Sequence, residues 1–398
     1  RPACDEKRDG LESKTGVKVL AIATDGFGGH GGIALYTSNL LRSTCSHPSR
    51  PRVVAVPRVM PFAPEGIPEN LEWDVSGLGG KGRYAGAVMR AALREGPFDV
   101  VLCTHVHLLS LAYPVARWQK APLVLFMYGI EVKQPTRKWL SNRFAPRVDA
   151  VVSIRRHTTQ AFQAWAAAGD APEYLLENAI DLTRYGLAPK APDLVARFGL
   201  EGKRVIMTLN RLEERNIGVD EVLGALHQVA RASPDVAYLV AGEGPDLPRL
   251  REKAAALGVA DRVVFAGFVP ADRKADYYRL GDVYAMPGSG PSFDRYPLRF
   301  AFLEAMACGV PVVGSRCEDD EERLLDGSLL AHQVDPYDSE AIASAITEAL
   351  SRPKAVPPGL ERFGYPAFEA RWHGMIDQIL SRPRRRASIA APRSAAVS

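Results

Sequence analysis

One acidic residue, Glu304, lies in the middle of an apolar stretch that reads SFDRYPLRFAFLEAMACGVPVVG from residue 292 to residue 314. Pro297 suits the first turn of a helix and Gly309 suits its exit into a strand, so the pattern predicts a buried helix. A buried carboxylate needs partners, because burying it alone is costly, and Arg299 lies on another face of the helix. A ligand with two neighbouring hydroxyl groups, such as a ribose, would satisfy Glu304. A hydrogen bond from a nearby protein loop is the alternative.

A glycine-rich segment, TDGFGGHGGIALYT, follows the first apolar run and opens a helical pattern. Glycine allows backbone N–H groups to approach an anion, and a helix N-terminus favours negative charge. Gly31 and Gly32, the last two glycines of the segment, are its candidates for a diphosphate contact. A tight turn that binds no ligand is an equally weighted alternative. The spacing is not the G-x-G-x-x-G of dinucleotide sites, which argues against NAD.

Two arginines follow an apolar run in the second half of the chain, in TLNRLEERNIGVD. Arg211 and Arg215, with Asn210 as a neutral donor, suit a diphosphate, because guanidinium groups donate paired hydrogen bonds to phosphate oxygens. The alternative is that Glu213 and Glu214 simply pair with the arginines at the surface. The local pattern slightly favours the surface pairs.

Polar residues also follow several apolar runs of the first half, in CTHVHLL, MYGIEVKQP and SIRRHTT. The two histidines of the first segment share one face of a strand, but a metal site would need more ligands than they supply. At the carboxyl end of a strand such groups become candidates for contact with a substrate. The candidates for an acceptor side are His105, His107, Glu131 and Arg156.

Short apolar runs rich in β-branched residues alternate with helical stretches along most of the chain, which predicts parallel sheets covered by helices on both faces. The pattern restarts near residue 200. The sequence therefore predicts an α/β protein with two doubly wound, Rossmann-like domains, at 17–190 and 200–350, after an N-terminal extension at 1–16. The predicted strands lie in VKVLAIAT, PRVVAVPR, FDVVLCTH, APLVLFMYG, VDAVVSI, KRVIMTLNR, VAYLVAGEG, DRVVFAGF, DVYAMPG and VPVVGS.

The bulk composition limits the class of protein. The chain has 398 residues, a net charge of +4 and 46% hydrophobic residues, as expected of a globular protein that could bind a phosphate-bearing ligand or an acidic membrane face. Its five cysteines form no C-x-x-C pair, so a reduced cytoplasm is the simplest location. The sequence shows no basic stripe with interleaved aromatic residues, so nucleic-acid binding is not indicated. The basic tail at 381–398 predicts disorder, with peripheral contact at an inner membrane face as the weaker alternative.

Taken together and in this order, the motifs resemble those of the family 4 retaining glycosyltransferases, which have the GT-B fold. The resemblance covers about residues 17–350 and is strongest after residue 203. Beside the glycine pair and the arginine loop, it rests on AGEGP at 241–245, a V.F.G.V pattern at 263–269, FLEAMACGVPVVGS, and the closing QVDPYDSEAI.

The resemblance implies two domains facing each other across a cleft and a hexosyl transfer from a UDP- or GDP-sugar. The acceptor would be a sugar, a lipid-linked sugar or a small molecule, and the displacement would be front-face, without an essential metal or cofactor. It also implies catalytic roles for His105, Arg211 and Glu304: His105 near the transferring sugar, Arg211 on the diphosphate and Glu304 on the ribose. A helix at 366–380 would cross back to the first domain.

Several positions depart from the family pattern, and two of them bear on catalysis. Tyr296 replaces the glutamate that contacts the sugar, and Ile217 replaces the diphosphate lysine. Arg215 could take the place of that lysine, and Asp294, Tyr296 and Arg299 are the candidates for the donor sugar. The changes favour an altered donor. The alternatives are a sugar-nucleotide-binding partner protein without transfer activity, and a GT-B epimerase or hydrolase.

Overall fold

The computed structural model describes residues 16–29, 31–168, 171–213, 218–288, 299–316 and 332–382. These residues contain two parallel β-sheets, of seven and six strands, packed with helices. The predicted α/β class and the GT-B arrangement of two doubly wound sheets are thereby confirmed. The exact limits of the two domains stay a prediction.

The first sheet has the strand order β3-β2-β1-β4-β5-β6-β7 with every pair parallel. Alternate residues of its strands enter different buried clusters: Val19 and Ala21 lie in one, Leu20 and Ile22 in the other. Both faces are therefore covered, which explains the continuous apolar runs. Its strands are β1 Lys18–Ala23, β2 Arg52–Pro57, β3 Leu71–Trp73, β4 Val100–Cys103, β5 Leu123–Met127, β6 Ala150–Ser153 and β7 Glu173–Leu175.

The second sheet has the order β10-β9-β8-β11-β12-β13 and is also parallel throughout. Its strands are β8 Arg204–Leu209, β9 Val236–Ala241, β10 Val263–Gly267, β11 Val283–Met286, β12 Val312–Ser315 and β13 His332–Val334.

Twelve α-helices of the described residues connect or follow these strands: α1 Gly31–Cys45, α2 Lys81–Glu95, α3 Leu109–Gln119, α4 Trp139–Phe144, α5 Arg156–Ala166, α6 Pro192–Phe198, α7 Val219–Ala232, α8 Leu247–Ala256, α9 Lys274–Leu280, α10 Phe300–Ala307, α11 Ser339–Leu350 and α12 Tyr365–Ser381. In this part of the chain no helix combines the length and the apolar character that crossing a membrane would require.

The strand orders place the candidate residues. The direction in which successive strands are added to the sheet reverses between β1 and β4 in the first sheet and between β8 and β11 in the second. Ligands of open parallel sheets bind in the crevice beyond the carboxyl ends of strands at such points. The glycine segment follows β1, the two histidines follow β4, the arginine loop follows β8 and α10 follows β11.

The last helix, α12, follows the second sheet in sequence but packs against α1 of the first. Trp372 Nε1 donates a hydrogen bond to Thr44 Oγ1 over 2.9 Å, and its ring lies edge-on to Phe126 of β5. Nearby, Phe368 packs edge-on to Tyr36 of α1. Because these aromatic side chains are buried, α12 ties the end of the chain to the first sheet.

Candidate functional site

The glycine segment divides into a packed part and an open part. A methyl group at Gly26 would lie 2.9 Å from the Trp73 ring, and one at Gly28 would lie 2.4 Å from the Phe62 carbonyl oxygen. Tight packing therefore explains these two glycines. Gly31 has open space around it and a φ of +84°, and a methyl group at Gly32 would lie 3.5 Å from the Phe300 ring of α10. The predicted anion candidates thus lie where the first sheet's loops meet α10.

His105 follows β4 and is held as a neutral imidazole. Its Nδ1 accepts a hydrogen bond of 3.1 Å from the His107 backbone N–H, so the His105 side chain caps the short 3-10 turn Val106–Leu108. Burial, followed by the charges of His107, Lys138 and Arg58, lowers the pKa of His105 to about 4. With Nδ1 accepting, the proton of the neutral ring lies on Nε2. His105 can therefore donate one hydrogen bond to a substrate oxygen at neutral pH.

The other two acceptor-side candidates lie at the same edge of the sheet. Glu131 follows β5 and accepts a hydrogen bond of 2.5 Å from the Tyr128 backbone N–H, which stabilises the turn at 130–132. Arg156 is the first residue of α5, directly after β6, and is exposed. Since β4, β5 and β6 are neighbours, their carboxyl ends bring all four candidates to one edge.

Two cations near these histidines, Arg58 and Lys138, and a third near Lys138, Lys81, were not predicted from the sequence. Arg58 follows β2, Lys81 begins α2, and Lys138 Nζ donates a hydrogen bond of 3.1 Å to the His107 carbonyl oxygen. Burial and then the charges of Lys138 and Arg58 lower the pKa of His107. In the sequence each cation resembles an ordinary solvated charge. Their one shared signal is that each lies in the connection after a strand.

Arg211 lies at the carboxyl end of β8, as predicted, and its guanidinium group pairs with Glu213. The side chains are 56% and 48% exposed. The Asn210 side chain is turned back on the loop, accepting a hydrogen bond of 2.8 Å from the Arg211 backbone N–H. The surface pairing named as the alternative is therefore present, and Asn210 offers its oxygen to the protein. Arg215 and Ile217 lie outside the described residues.

The AGEGP motif shapes this arginine loop. The Leu212 backbone N–H donates a hydrogen bond of 2.9 Å to the Glu243 carbonyl oxygen. A methyl group at Gly242 would lie 1.9 Å from the Asn210 carbonyl oxygen, and one at Gly244 would lie 2.1 Å from that of Leu212. The two glycines allow a close approach that no larger residue permits. The motif positions the Arg211 loop by packing.

Glu304 is 3% exposed and fully engaged by protein groups. Its Oε1 accepts from the Tyr185 hydroxyl over 2.8 Å, and its Oε2 accepts from the Tyr278 hydroxyl over 2.7 Å. Lys274 Nζ lies 2.8 Å from Oε1 and 2.5 Å from Oε2. The alternative named from the sequence, a hydrogen bond from another segment of the protein, is therefore present. Partners from α9 and from the segment before α6 were invisible to local sequence reasoning. The ribose contact implied by the resemblance stays a prediction.

The remaining donor candidates lie before α10. Arg299 is the residue that precedes the helix, in an extended conformation, and is partly buried. Asp294 and Tyr296 lie outside the described residues. Within the described ranges, no three His, Cys, Asp or Glu side chains come together as they would to hold a metal ion. Independence from metal stays a prediction.

Two doubly wound parallel sheets, with loops of one meeting the α10 region of the other, define the GT-B class of glycosyltransferase. A family model described as glycosyl transferases group 1 matches residues 203–352. The chain is 34% identical over 273 residues to the GDP-mannose-dependent alpha-(1-6)-phosphatidylinositol monomannoside mannosyltransferase of Mycolicibacterium smegmatis, covering 67% of this chain and 71% of the relative. The chain belongs to the group 1 glycosyltransferases, and it is an enzyme of that class.

A further relative supports the family, and two solved structures support the fold. The Mycobacterium tuberculosis protein of the same description is 30% identical over 299 residues, covering 73% of this chain and 77% of the relative. Sucrose-phosphate synthase from Thermosynechococcus elongatus has a TM-score of 0.71 at 16% identity, covering 92% of this chain and 99% of that one. Anabaena HepE in complex with UDP has a TM-score of 0.68 at 17% identity, covering 91% and 100%. At such identities the two structures support the fold alone.

Proposed function

We propose that this glycosyltransferase transfers a mannosyl unit from GDP-mannose to a lipid with a phosphoinositol head group, retaining the configuration at the sugar's C1. The observation that carries the proposal is the 34% identity over 273 residues to a relative named for that donor and that kind of acceptor. The sequence motifs left both UDP and GDP open, and three classes of acceptor. The names of the relatives favour GDP among the donors and a lipid-linked sugar among the acceptors.

In this proposal the donor diphosphate contacts Arg211 from the second sheet and backbone N–H groups of Gly31 and Gly32 from the first. The proximity of Gly32 to Phe300 supports a shared cleft. The present partner of Arg211, Glu213, is about half exposed. An exposed ion pair contributes only about 0–1 kcal/mol. A diphosphate, which carries more charge and offers paired acceptors, can therefore displace it.

The acceptor hydroxyl would approach the sugar from the His105 side. A bond forms between the acceptor oxygen and C1, the bond from C1 to the diphosphate oxygen breaks, and the acceptor proton passes to the leaving phosphate. Neutral His105 would orient an oxygen through its Nε2–H. The nearby carboxylates of Asp25 and Glu131 accept hydrogen bonds from Thr24 Oγ1 and the Tyr128 N–H. A front-face displacement needs no protein nucleophile, so neither carboxylate has to form a covalent intermediate.

Nucleotide release from GDP-mannose, measured beside UDP-glucose and UDP-galactose, tests the donor assignment. We expect release from GDP-mannose alone. Arg211→Gln should raise the KM for the donor about tenfold or more, because a charge-assisted hydrogen bond to the diphosphate is lost. Arg204→Gln is the matched control, since Arg204 begins the same strand, β8, and pairs with Asp235 at its opposite end.

Equal release from a UDP-sugar would contradict the choice of GDP-mannose. GDP binding with no release from any donor would instead support the alternative of a sugar-nucleotide-binding partner protein.

A further inference from the structure

Arg58 and Lys138 lie near the two histidines at the carboxyl edge of the first sheet, and Lys81 lies near Lys138. The Arg58 backbone N–H donates hydrogen bonds to the carbonyl oxygens of Ala23 and Thr24, over 3.0 and 3.1 Å. These bonds hold Arg58 beside the carboxyl end of β1. Lys138 is held at the other side of the histidines by its bond to the His107 carbonyl oxygen. Lys81 begins α2, in the connection from β3 to β4. The three residues come from three separate connections of the sheet.

The three cations of this cluster have no acidic side chain of the described residues in direct contact. No carboxylate in the described part of the chain forms an ion pair with Arg58, Lys81 or Lys138. Several cations elsewhere are paired, as in Arg249 with Asp220 and Asp246, Arg117 with Asp149, Arg204 with Asp235, and Arg273 with Asp193 and Asp276. The three cations therefore remain available to an anionic ligand.

Lys138 lies close enough to Arg58 and to Lys81 for both charges to act on it. Burial, followed by the charges of Arg58 and Lys81, lowers the pKa of Lys138. Like charges held together without a counter-charge destabilise the folded state unless an anion joins them. The cluster is thus ready to bind an anionic group, and the hydroxyl-orienting His105 lies beside it.

Exposed apolar side chains border the cluster. Trp139, next to Lys138, is 69% exposed, and Val59, next to Arg58, is 51% exposed. Ile130 in the turn after β5 is 47% exposed. A tryptophan beside basic residues suits the boundary between lipid head groups and acyl chains. The neighbourhood therefore fits a phosphate ester attached to an apolar body better than a free, fully hydrated anion.

We propose that Arg58, Lys81 and Lys138 bind the phosphate of the acceptor head group and so direct one of its hydroxyl groups toward His105. This inference rests on the proposed function, because it assigns the acceptor side of that same site. The shared chemistry is a phosphate ester, which a membrane lipid or a soluble inositol phosphate could supply.

Binding without any donor tests the site independently of catalysis. Binding of the full chain is measured to inositol 1-phosphate, to inositol, to vesicles of phosphatidylcholine alone and to vesicles that also contain phosphatidylinositol. We expect inositol 1-phosphate or phosphatidylinositol to bind and the uncharged counterparts not to. The variant Arg58→Gln/Lys138→Gln should weaken this binding about tenfold or more. Lys120→Gln is the control, because Lys120 is an exposed lysine at the end of α3, just before β5 begins.

Binding of both phosphate probes would indicate recognition of the ester itself, and binding of the vesicles alone would identify the lipid as its source. Equal binding by the double variant would overturn the proposal. So would equal binding of phosphatidylserine vesicles, since that would show only attraction to an anionic surface.

Kinetics then separate this site from the donor site. The double variant should raise the KM for phosphatidylinositol and leave the KM for GDP-mannose unchanged. If the wild-type enzyme shows no turnover but its phosphate binding depends on the two cations, the proposed function fails and the phosphate site stands. If turnover occurs and the acceptor KM is unchanged in the variant, the phosphate site fails alone.

Discussion

At the scale of single residues, Glu304 shows how a charge can be retained inside an apolar helix without a ligand. Lys274 neutralises it, and two tyrosine hydroxyls use its remaining acceptor capacity. Burial and the charge of Glu304 raise the pKa of Tyr278, so this tyrosine stays a neutral donor. Tyr185 comes from the segment that joins the two sheets. Glu304 therefore links that segment to α9 and α10.

A substitution separates this structural role from ribose binding. Glu304→Gln should lower the free energy of unfolding by roughly 2–4 kcal/mol, because breaking a buried ion pair leaves the other charge uncompensated. Tyr185→Phe should cost about 1 kcal/mol, the usual value for one hydrogen bond. Urea unfolding measures both. An unchanged unfolding curve for Glu304→Gln, with a raised donor KM, would contradict the structural role and support contact with the ribose.

His105 should make stability depend on pH. Its pKa is about 4 in the folded protein, below the ordinary value of 6.5, so the unfolded chain binds more protons between these values. The stabilisation is fully present above pH 6.5 and is lost as the pH falls toward 4. His105→Asn keeps a side-chain acceptor for the turn but removes the titration. The free energy of unfolding, measured at pH 7 and pH 5, should fall less between these pH values in the variant than in the wild type. An equal fall in both proteins would show that His105 does not titrate in this range.

At the scale of elements, the loops after the switch-point strands are shaped by their neighbours in the sheet. The Arg211 loop follows β8, and the AGEGP loop follows β9, the adjacent strand. The family motif therefore acts on Arg211 through backbone contact. The motif's order and spacing were readable in the sequence. Its packing against the Arg211 loop could not be predicted, because the two loops lie about thirty residues apart in the sequence.

Two glycines in the second sheet's unit test this positioning. Gly242→Ala places a methyl group 1.9 Å from the Asn210 carbonyl oxygen, so the Arg211 loop must move. Gly258→Ala is the control: Gly258 also has a positive φ but open space around it, so only backbone strain of roughly 1–2 kcal/mol applies. We expect Gly242→Ala to lose more stability and to raise the donor KM. Similar effects of the two substitutions would show that the close packing does not position Arg211.

At the scale of the whole molecule, the sequence predicted every strand of four or more residues in the described part of the chain and missed three shorter ones. β3, β7 and β13 each have three residues and lie at or near sheet edges, so they carry no apolar run to detect. Long-range partners were equally hidden. Glu177, for example, is buried and pairs with Arg362 and with Arg371 of α12. Contacts between distant segments are set by the fold, so local spacing cannot reveal them.

The proposed activity is the property of the whole molecule, since it needs groups from both sheets. Its most direct test is to incubate the enzyme with labelled GDP-mannose and phosphatidylinositol vesicles, isolate the lipid, and determine the anomeric configuration of any attached sugar by NMR. The account predicts a mannolipid with an α linkage, formed with one GDP released per sugar transferred. A β-linked product, or release of free mannose with no labelled lipid, would contradict it.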